Sequence, residues 1–302
     1  MKKFRLLFAA LVISTGLFFQ SCDKVDQPYY DTPVCPAVTF PDTNGTTRNI
    51  LFEEFTGHTC GNCPSGAYDL RTIWKPMYDD RLIIVSVHAG VFATPDIPAG
   101  YYADYRTEAS VEYDAFFGVT GYPSGMVNRV PYASQYVVGK VNWGNAFAVE
   151  AAKPLEIDLQ MYVEHDELTD PYSVCLHMHS KFLTSKNGRF NVVGYFVEDS
   201  IISKQKNYPG AQGDPDYLVP QDPNYVHRHM LRDNIGGTWG VNMWSGNAPA
   251  GKDTTVSLKY NFQPRDTVDF SHRKHHYYFV GYVYDFDTKE IHQVIEKKLT
   301  PH

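Results

Sequence analysis

The stretch FTGHTCGNCPSG, residues 55–66, holds two cysteines two residues apart, Cys60 and Cys63, with a proline directly after the second. Residues 48–56 are mostly bulky and form a short run, which predicts a β-strand. Residues 64–79 predict a helix, because a proline suits its first turn and apolar residues then recur at helical spacing. The CxxC pair is therefore expected at a strand-to-helix junction.

A CxxC pair at the start of a helix can carry thiol chemistry. The unpaired N–H groups and the helix dipole stabilise a thiolate on the first cysteine, and they lower its pKa from the usual value of about 8.5. Cys60 would then attack a disulfide, and Cys63 would resolve the mixed disulfide. The alternative is a fixed disulfide that closes the start of the helix, and the residues alone leave both readings open.

The N-terminus predicts export and a lipid anchor. Three basic residues within the first five precede an apolar run of 14 residues, 6–19, which is too short to span a bilayer but suits a signal peptide. Residues 1–21 are therefore predicted to be a signal peptide. Cys22 resembles a bacterial lipoprotein processing site, which implies acylation, including palmitate, at the start of a tether over 22–47. An ordinary cleaved signal with a stray cysteine is the alternative.

The net charge of the chain limits the classes of molecule that it is expected to bind. The 302 residues include 27 Lys+Arg and 34 Asp+Glu, a formal charge of −7, and loss of residues 1–21 with their three basic residues takes it to −10. An acidic protein is a poor ligand for nucleic acid or anionic lipid surfaces, so we predict no nucleic-acid partner and a membrane association through the lipid alone. The sequence contains no Walker loop, GxSxG or paired-carboxylate signature, and we predict no cofactor.

The order of predicted elements divides the chain near residue 153. Residues 48–153 alternate strands and helices, and residues 81–88 form a nearly continuous β-branched run that is typical of a buried parallel strand. Residues 154–302 show six or seven short strands separated by turn residues and no long helices. The prediction is an α/β domain followed by an all-β antiparallel, Ig-like sandwich.

Three segments together resemble the thioredoxin-like superfamily: the strand NILFEEF (49–55), CGNC (60–63) and the turn VTGYPS (119–124). The resemblance implies that Pro123 is cis and faces the cysteine pair, and that the Tyr122 backbone can pair with an extended substrate. It also implies a buried acid for proton transfer at Glu54, six residues before Cys60. The alternative for Glu54 is a solvated or hydrogen-bonded strand acid.

Further segments extend the resemblance over the mature chain: the lipoprotein signal, EEFTGxxCxxCP (53–64), GYPSG (121–125), HRHMLR (227–232) and GTWG (237–240). Together they resemble the 28-kDa outer-membrane lipoprotein family of Bacteroidetes. The resemblance implies a lipid-anchored outer-membrane protein that is exposed on the cell surface in some members, which are regarded as adhesins. Two functions follow as hypotheses: thiol–disulfide exchange with protein substrates in the envelope, or a non-enzymatic adhesin or binding protein with a structural Cys60–Cys63 disulfide.

The remaining cysteines are Cys35 and Cys175. Export permits a disulfide between them that would join the tether to the sandwich. Their separation in sequence says nothing about their distance, so this pairing stays open.

Paired histidines raise the question of a metal. His177 and His179 are two residues apart on a predicted strand and share a face, but a chelating pair needs a third ligand. Such pairs are usually surface polar positions, and no second CxxC or HxxxH follows Cys63 at zinc-finger spacing. We predict no metal site.

Overall fold

A computed structural model describes residues 35–42, 45–208 and 220–299 of the chain. The predicted signal peptide, the predicted lipid site Cys22 and the first part of the predicted tether lie outside the described residues. The described part is mostly β-sheet with a few helices, and from Cys35 onward it belongs to one compact unit.

The first half alternates strands and helices, as predicted. Its elements are β1 Ile50–Thr56, α1 Cys63–Asp69, a π-helical turn Leu70–Trp74, α2 Lys75–Tyr78, β2 Leu82–His88, α3 Glu108–Phe117, β3 Ser124–Val127, β4 Val138–Gly139 and α4 Trp143–Ala151. Short 3₁₀ turns lie at Asp79–Arg81, Val91–Ala93 and Lys140–Asn142. The strand-to-helix junction at the CxxC pair is confirmed.

The second half is built from strands. They are β5 Ile157–Glu164, β6 Ser173–Phe182, β7 Lys186–Glu198, β8 Ile201–Lys206, β9 Gln221–His227, β10 Met230–Ile235, β11 Val241–Ala248, β12 Asp253–Asn261, β13 Tyr277–Asp285 and β14 Ile291–Lys298. Two one-turn helices, α5 Pro264–Thr267 and α6 Phe270–Arg273, and a 3₁₀ turn at Lys274–His276 precede β13. The structure has ten strands here, where the sequence predicted six or seven.

One mixed sheet of nine strands runs through both halves. Its order is β14-β13-β7-β10-β2-β1-β3-β4, and β11 pairs with β7. β1 and β2 are parallel, β3 and β4 run antiparallel, and β10 joins β2 in parallel at Met230 and Ser86. The other described sheets are antiparallel, with orders β12-β6-β5 and β8-β9.

The sandwich predicted for residues 154–302 does not have a larger sheet of its own, because β7, β10, β13 and β14 continue the sheet of the first half. The chain does leave the first half just after α4, near residue 153, but the sheet does not divide there. β2 is largely buried and would present unpaired N–H and C=O groups at an open edge if the second half were separate. β10 covers part of that edge.

Both faces of the nine-stranded sheet are covered. On one face, Tyr113 of α3 lies in a buried cluster that spans β1, β2, β7 and β13. On the other face, Phe52 packs against Trp143 and Phe147 of α4, with ring centroids 4.9 and 5.1 Å apart. The β12-β6-β5 sheet covers the same face further along, where Met178 belongs to a cluster with β7 and β13. This layering is sandwich-like, but it shares its larger sheet with the helical half.

A buried ion pair joins the two halves. Arg129, just after β3, donates to both carboxylate oxygens of Glu53 on β1, at 2.8 and 2.7 Å. The same guanidinium donates to the hydroxyls of Tyr195 and Tyr282, on β7 and β13, at 2.8 and 3.0 Å. A buried charge needs such partners, so Arg129 ties strands from both halves together.

Candidate functional site

Cys60 and Cys63 form a disulfide at the start of α1, with their Cα atoms 5.5 Å apart. The Cys60 N–H donates to the Gly57 carbonyl at 3.0 Å, which closes the turn after β1. Cys63 is the first residue of α1 and Pro64 is the second, as expected for a proline that needs no backbone donor there.

The disulfide is covered by the end of β8 and the two residues that follow it. Cys60 is 3% exposed and Cys63 is 2% exposed. Residues 205–208, here called the covering segment, bind the turn through four hydrogen bonds: Lys206 N–H to His58 O at 2.8 Å, Tyr208 N–H to Gly61 O at 2.9 Å, and Gln205 Nε2 to the carbonyls of Cys60 and Gly57 at 3.0 and 3.3 Å. Residues 205–224 are rich in Pro, Asp and Gly, which predicts a long loop from the sequence alone, so this contact was not predicted.

Tyr208 packs directly onto the turn. A Cβ atom added to Gly61 would lie 2.7 Å from three carbons of the Tyr208 ring, closer than real contacts allow. The glycine between the two cysteines therefore permits the ring to lie flat against the backbone. A larger residue at position 61 would push the covering segment away.

Glu54 is a buried, neutral acid. It is 2% exposed, and the Ser86 hydroxyl donates to its Oε2 at 3.2 Å, while Oε1 has no partner among the described residues. Burial raises the pKa of Glu54 to about 8, against the smaller opposing effect of the Ser86 hydrogen bond. Glu54 is therefore a hydrogen-bonded strand acid and not a solvated one, and the carboxyl is mostly protonated at neutral pH.

The turn before β3 contains a cis Tyr122–Pro123 peptide bond. The Pro123 ring lies against Gly66, one helical turn beyond Cys63, where an added Cβ would come within 3.0 Å of it. The Tyr122 hydroxyl donates to Asp114, and burial together with Asp114 raises the pKa of that phenol. Its ring meets Phe92 edge-on, with centroids 5.4 Å apart.

His58 lies in the turn before Cys60, but it is buried rather than exposed. Its ring packs against Tyr101 and Tyr105, with centroids 5.3 and 5.2 Å away. Burial lowers the pKa of His58, so the ring is neutral at pH 7. A neutral ring adds no positive charge that would stabilise a thiolate on Cys60.

Cys35 and Cys175 also form a disulfide, with Cα atoms 5.5 Å apart. The residues after it continue along the three-stranded sheet, where the Gly45 N–H donates to Asp158 at 2.8 Å. The described end of the predicted tether therefore lies against β5 and β6, because its backbone forms hydrogen bonds there.

In the described ranges, the one group of three side chains with metal-ligand spacing is Glu164, Cys175 and His177. The Cys175 sulfur is already in a disulfide and is not a thiolate ligand. His177 is fully buried and bonds Ser257 and Glu164, so its assignment as a surface position is wrong. His179 is partly exposed and bonds Thr255.

A family model described as outer membrane protein Omp28 matches residues 110–302, which is more than half of the chain. The chain belongs to the Omp28 family of outer membrane proteins. The family resemblance read from the sequence is confirmed, and with it the outer-membrane location. Within the described parts of this Omp28 family member, no helix is both long and apolar enough to cross a membrane.

Two solved structures are similar to this Omp28 family member. HBP35 of Porphyromonas gingivalis matches with a TM-score of 0.58 at 15% identity, over 85% of this chain and 77% of that chain, which shows a shared fold. A domain of the outer membrane lipoprotein Omp28 from Porphyromonas gingivalis matches at 21% identity over 48% of this chain and 89% of that chain, with a TM-score of 0.30. Among curated proteins, none matches the sequence.

Proposed function

We propose that this protein is anchored by lipid at Cys22 and exchanges thiols and disulfides with envelope proteins at Cys60–Cys63. The expected substrate is an exported protein that carries a dithiol or a disulfide. No bound cofactor is needed, because the exchanged electrons reside on the two sulfur atoms.

The topology around the pair supports a thioredoxin-like fold. Parallel β1 and β2, antiparallel β3 and β4, and the order β2-β1-β3-β4 match the arrangement that the thioredoxin resemblance implies. The cis bond before Pro123 and the disulfide at the start of α1 occupy the expected positions in that fold.

The observation that carries the proposal is the shared cavity of Glu54 and Cys63. Both side chains line one cavity, and Glu54 is a protonated carboxyl at neutral pH. An acid with a pKa near the working pH can both give and take a proton. A fixed disulfide needs no proton donor, whereas a leaving thiolate is stabilised when it takes up a proton.

In the oxidising direction, a substrate thiolate attacks Sγ of Cys60. The Cys60–Cys63 bond breaks, and Cys63 leaves with the electron pair and takes the proton of Glu54. A second substrate thiolate then attacks the substrate sulfur of the mixed disulfide and releases Cys60 as a thiolate, and solvent protonates Cys60 and restores the proton of Glu54. The substrate dithiol loses two electrons and becomes a disulfide, while Cys60 and Cys63 become a dithiol.

Access requires movement of the covering segment. Because Cys60 is buried, a substrate sulfur reaches it only when residues 205–208 leave the turn. The segment bonds the turn through the backbones of Lys206 and Tyr208, as an extended substrate would. A substrate that replaces these bonds could open the site without a net loss of hydrogen bonds.

The same burial favours a second candidate function. A disulfide with both cysteines almost fully covered is also what a structural staple requires. The protein would then be a binding lipoprotein or surface adhesin, and Cys60–Cys63 would hold the turn that the covering segment binds.

Trapping distinguishes the two functions. In Cys63→Ala, exchange predicts mixed disulfides between Cys60 and envelope proteins, and the double variant Cys60→Ala, Cys63→Ala is the control. The reduction potential gives an independent measure, since structural disulfides lie below about −300 mV and exchanging ones lie higher. A potential below that value together with no trapped protein would select the binding function.

A further inference from the structure

A cavity of about 430 Å³ lies beside the disulfide. Its lining comes from β1, β2, the helical stretch from α1 through the π turn to Lys75 of α2, and β9 with the turn after it, together with Asp199, Gln205 and Glu296. The volume is within the range of small-molecule sites in proteins. Nothing in the proposed exchange reaction requires a space of this size.

The buried part of the cavity offers neutral hydrogen-bonding groups without partners. Glu54 and His88 are each 2% exposed and His227 is 3% exposed. Glu54 Oε1, His227 Nε2 and both ring nitrogens of His88 have no hydrogen-bond partner of good geometry among the described residues. Unsatisfied buried polar atoms are costly, and several around one cavity indicate a ligand that satisfies them.

These groups carry no charge at neutral pH. Burial lowers the pKa of His88 well below its usual value, helped by the nearby His227. Burial likewise lowers the pKa of His227 to about 3. With Glu54 protonated, this end of the cavity can donate and accept hydrogen bonds but does not attract an ion.

The cavity wall between the buried end and the solvent-facing end is apolar. It is formed on the helix side by Ala67 and Leu70, and on the β2 side by Ile83 and Ile84. Ile84 is only partly buried, although its neighbours along β2 are covered. A planar or aliphatic body of modest size would pack there.

The solvent-facing lining is positively charged. It holds Arg71, Lys75 and Arg228, against the acids Asp199 and Glu296. Burial raises the pKa of Glu296, and Asp199 forms an ion pair with Arg228 at 3.1 Å, so three cations face two acids at this opening. A net positive opening stands out in a chain whose formal charge is −7, and it favours an anion.

We propose that this cavity binds a small amphipathic carboxylic acid with a hydrogen-bonding group at its far end. The carboxylate lies at the basic opening near Lys75 and Arg228. The apolar body packs on Leu70 and Ile84, and the far polar group bonds Glu54 and His88. This inference does not depend on the proposed exchange, since a fixed disulfide would leave the cavity the same.

Three probes of one skeleton test the proposal by titration calorimetry on the full mature chain. They are 3-(4-hydroxyphenyl)propanoate, the neutral alcohol 4-(2-hydroxyethyl)phenol and the cation 4-(2-aminoethyl)phenol. A charge-assisted bond predicts that the carboxylate binds about tenfold or more tightly than the alcohol, and the amine binds most weakly. Equal binding of the three, or a carboxylate Kd weaker than about 1 mM, would overturn it.

Variants locate the binding. Lys75→Gln with Arg228→Gln should reduce the carboxylate affinity to that of the alcohol and leave the alcohol unaffected. Arg189→Gln with Lys252→Gln removes the same charge away from the cavity and should change neither. Ile84→Trp fills the cavity and should abolish all binding in a chain that keeps its melting temperature. Unchanged binding in the first double variant refutes the site, even if Ile84→Trp fails to fold.

Discussion

The ring of Tyr208 lies against the backbone of Gly61, inside the CxxC turn, and the Tyr208 N–H donates to the Gly61 carbonyl at 2.9 Å. A residue of the second half of the chain therefore restricts access to a disulfide between two cysteines of the first half. Whether Cys60–Cys63 exchanges with substrate proteins or is a fixed structural disulfide, its reactivity depends on this contact.

Removal of the Tyr208 ring should expose the disulfide. We expect Tyr208→Ala to speed reduction of Cys60–Cys63 by a small thiol about tenfold, since a loss of about 1.4 kcal/mol shifts a local opening equilibrium by that factor. Tyr208→Phe keeps the ring and is the matched control. The rate is measured by alkylation of the released thiols, and equal rates in both variants would show that the ring does not protect the pair.

Glu54 should make the protein less stable as pH rises. The carboxyl is protonated in the folded protein up to about pH 8, but in the unfolded chain it ionises near its ordinary pKa of 4.5. The unfolded state therefore binds fewer protons between pH 4.5 and 8. The contribution of Glu54 is fully present below pH 4.5 and falls by up to about 1.4 kcal/mol per pH unit until pH 8.

Glu54→Gln removes this titration. Its free energy of unfolding, relative to the parent chain, should rise steadily from pH 4.5 to 8 in urea titrations, and then level off. Glu108→Gln, at an exposed position of α3, serves as the control and should show no such trend. A pH-independent difference for Glu54→Gln would contradict a raised pKa.

The Cys35–Cys175 disulfide should contribute more to stability than Cys60–Cys63. The two bridges join residues 140 and 3 positions apart, and a cross-link that closes a longer loop restricts the unfolded chain more. Replacement of Cys35 and Cys175 by alanine should lower the free energy of unfolding by about 2–5 kcal/mol. The alanine pair at 60 and 63 is the comparison, and a larger loss there would refute the entropic account.

The Arg129–Glu53 pair should respond differently to single and double replacement. Arg129→Met leaves a buried carboxylate without its cation and should cost about 3–5 kcal/mol. The double variant Arg129→Met, Glu53→Met removes both charges and should cost less than the single change. The exposed pair Arg189–Asp287 is the control, where replacement should cost less than about 1 kcal/mol.

Local structure was largely predictable from the sequence. The strand before Cys60, the helix after Cys63 and the strand 81–88 follow from periodicity and from proline chemistry, which act over a few residues. The predicted helix 64–79 is interrupted by a π turn at Leu70–Trp74, just before Pro76, whose missing N–H cannot complete the helical ladder.

That interruption changes which residues are buried. Regular helical spacing predicted one apolar stripe through Leu70, Ile73, Trp74 and Met77. The π turn rotates the residues that follow it, and Ile73 and Met77 are exposed while Leu70 is buried. A π turn adds one residue to a helical turn, and the pattern of apolar residues in the sequence gives no clear signal for this addition.

The long-range pairings were not predictable. β10 reaches β2 across more than 140 positions, and no local pattern indicates which strand will complete a sheet edge. The covering segment shows the same limit, because residues 205–224 are rich in turn-forming residues and read as a loop. Glu54 was placed correctly on β1, but the cavity that it lines also holds residues of β8 and β9, which are far away in the sequence.

The continuous sheet has a consequence for how this protein can be divided. The strands of the two halves lie side by side in one sheet and meet where β10 pairs with β2, so a fragment that stops after α4 would leave the β2 edge uncovered and prone to pair with other chains. Thiol–disulfide exchange is often carried out by a separate domain, which can be fused to unrelated domains. In this chain the sheet that carries the cysteine pair continues into strands after residue 153, so the two portions would have to be secreted and degraded together.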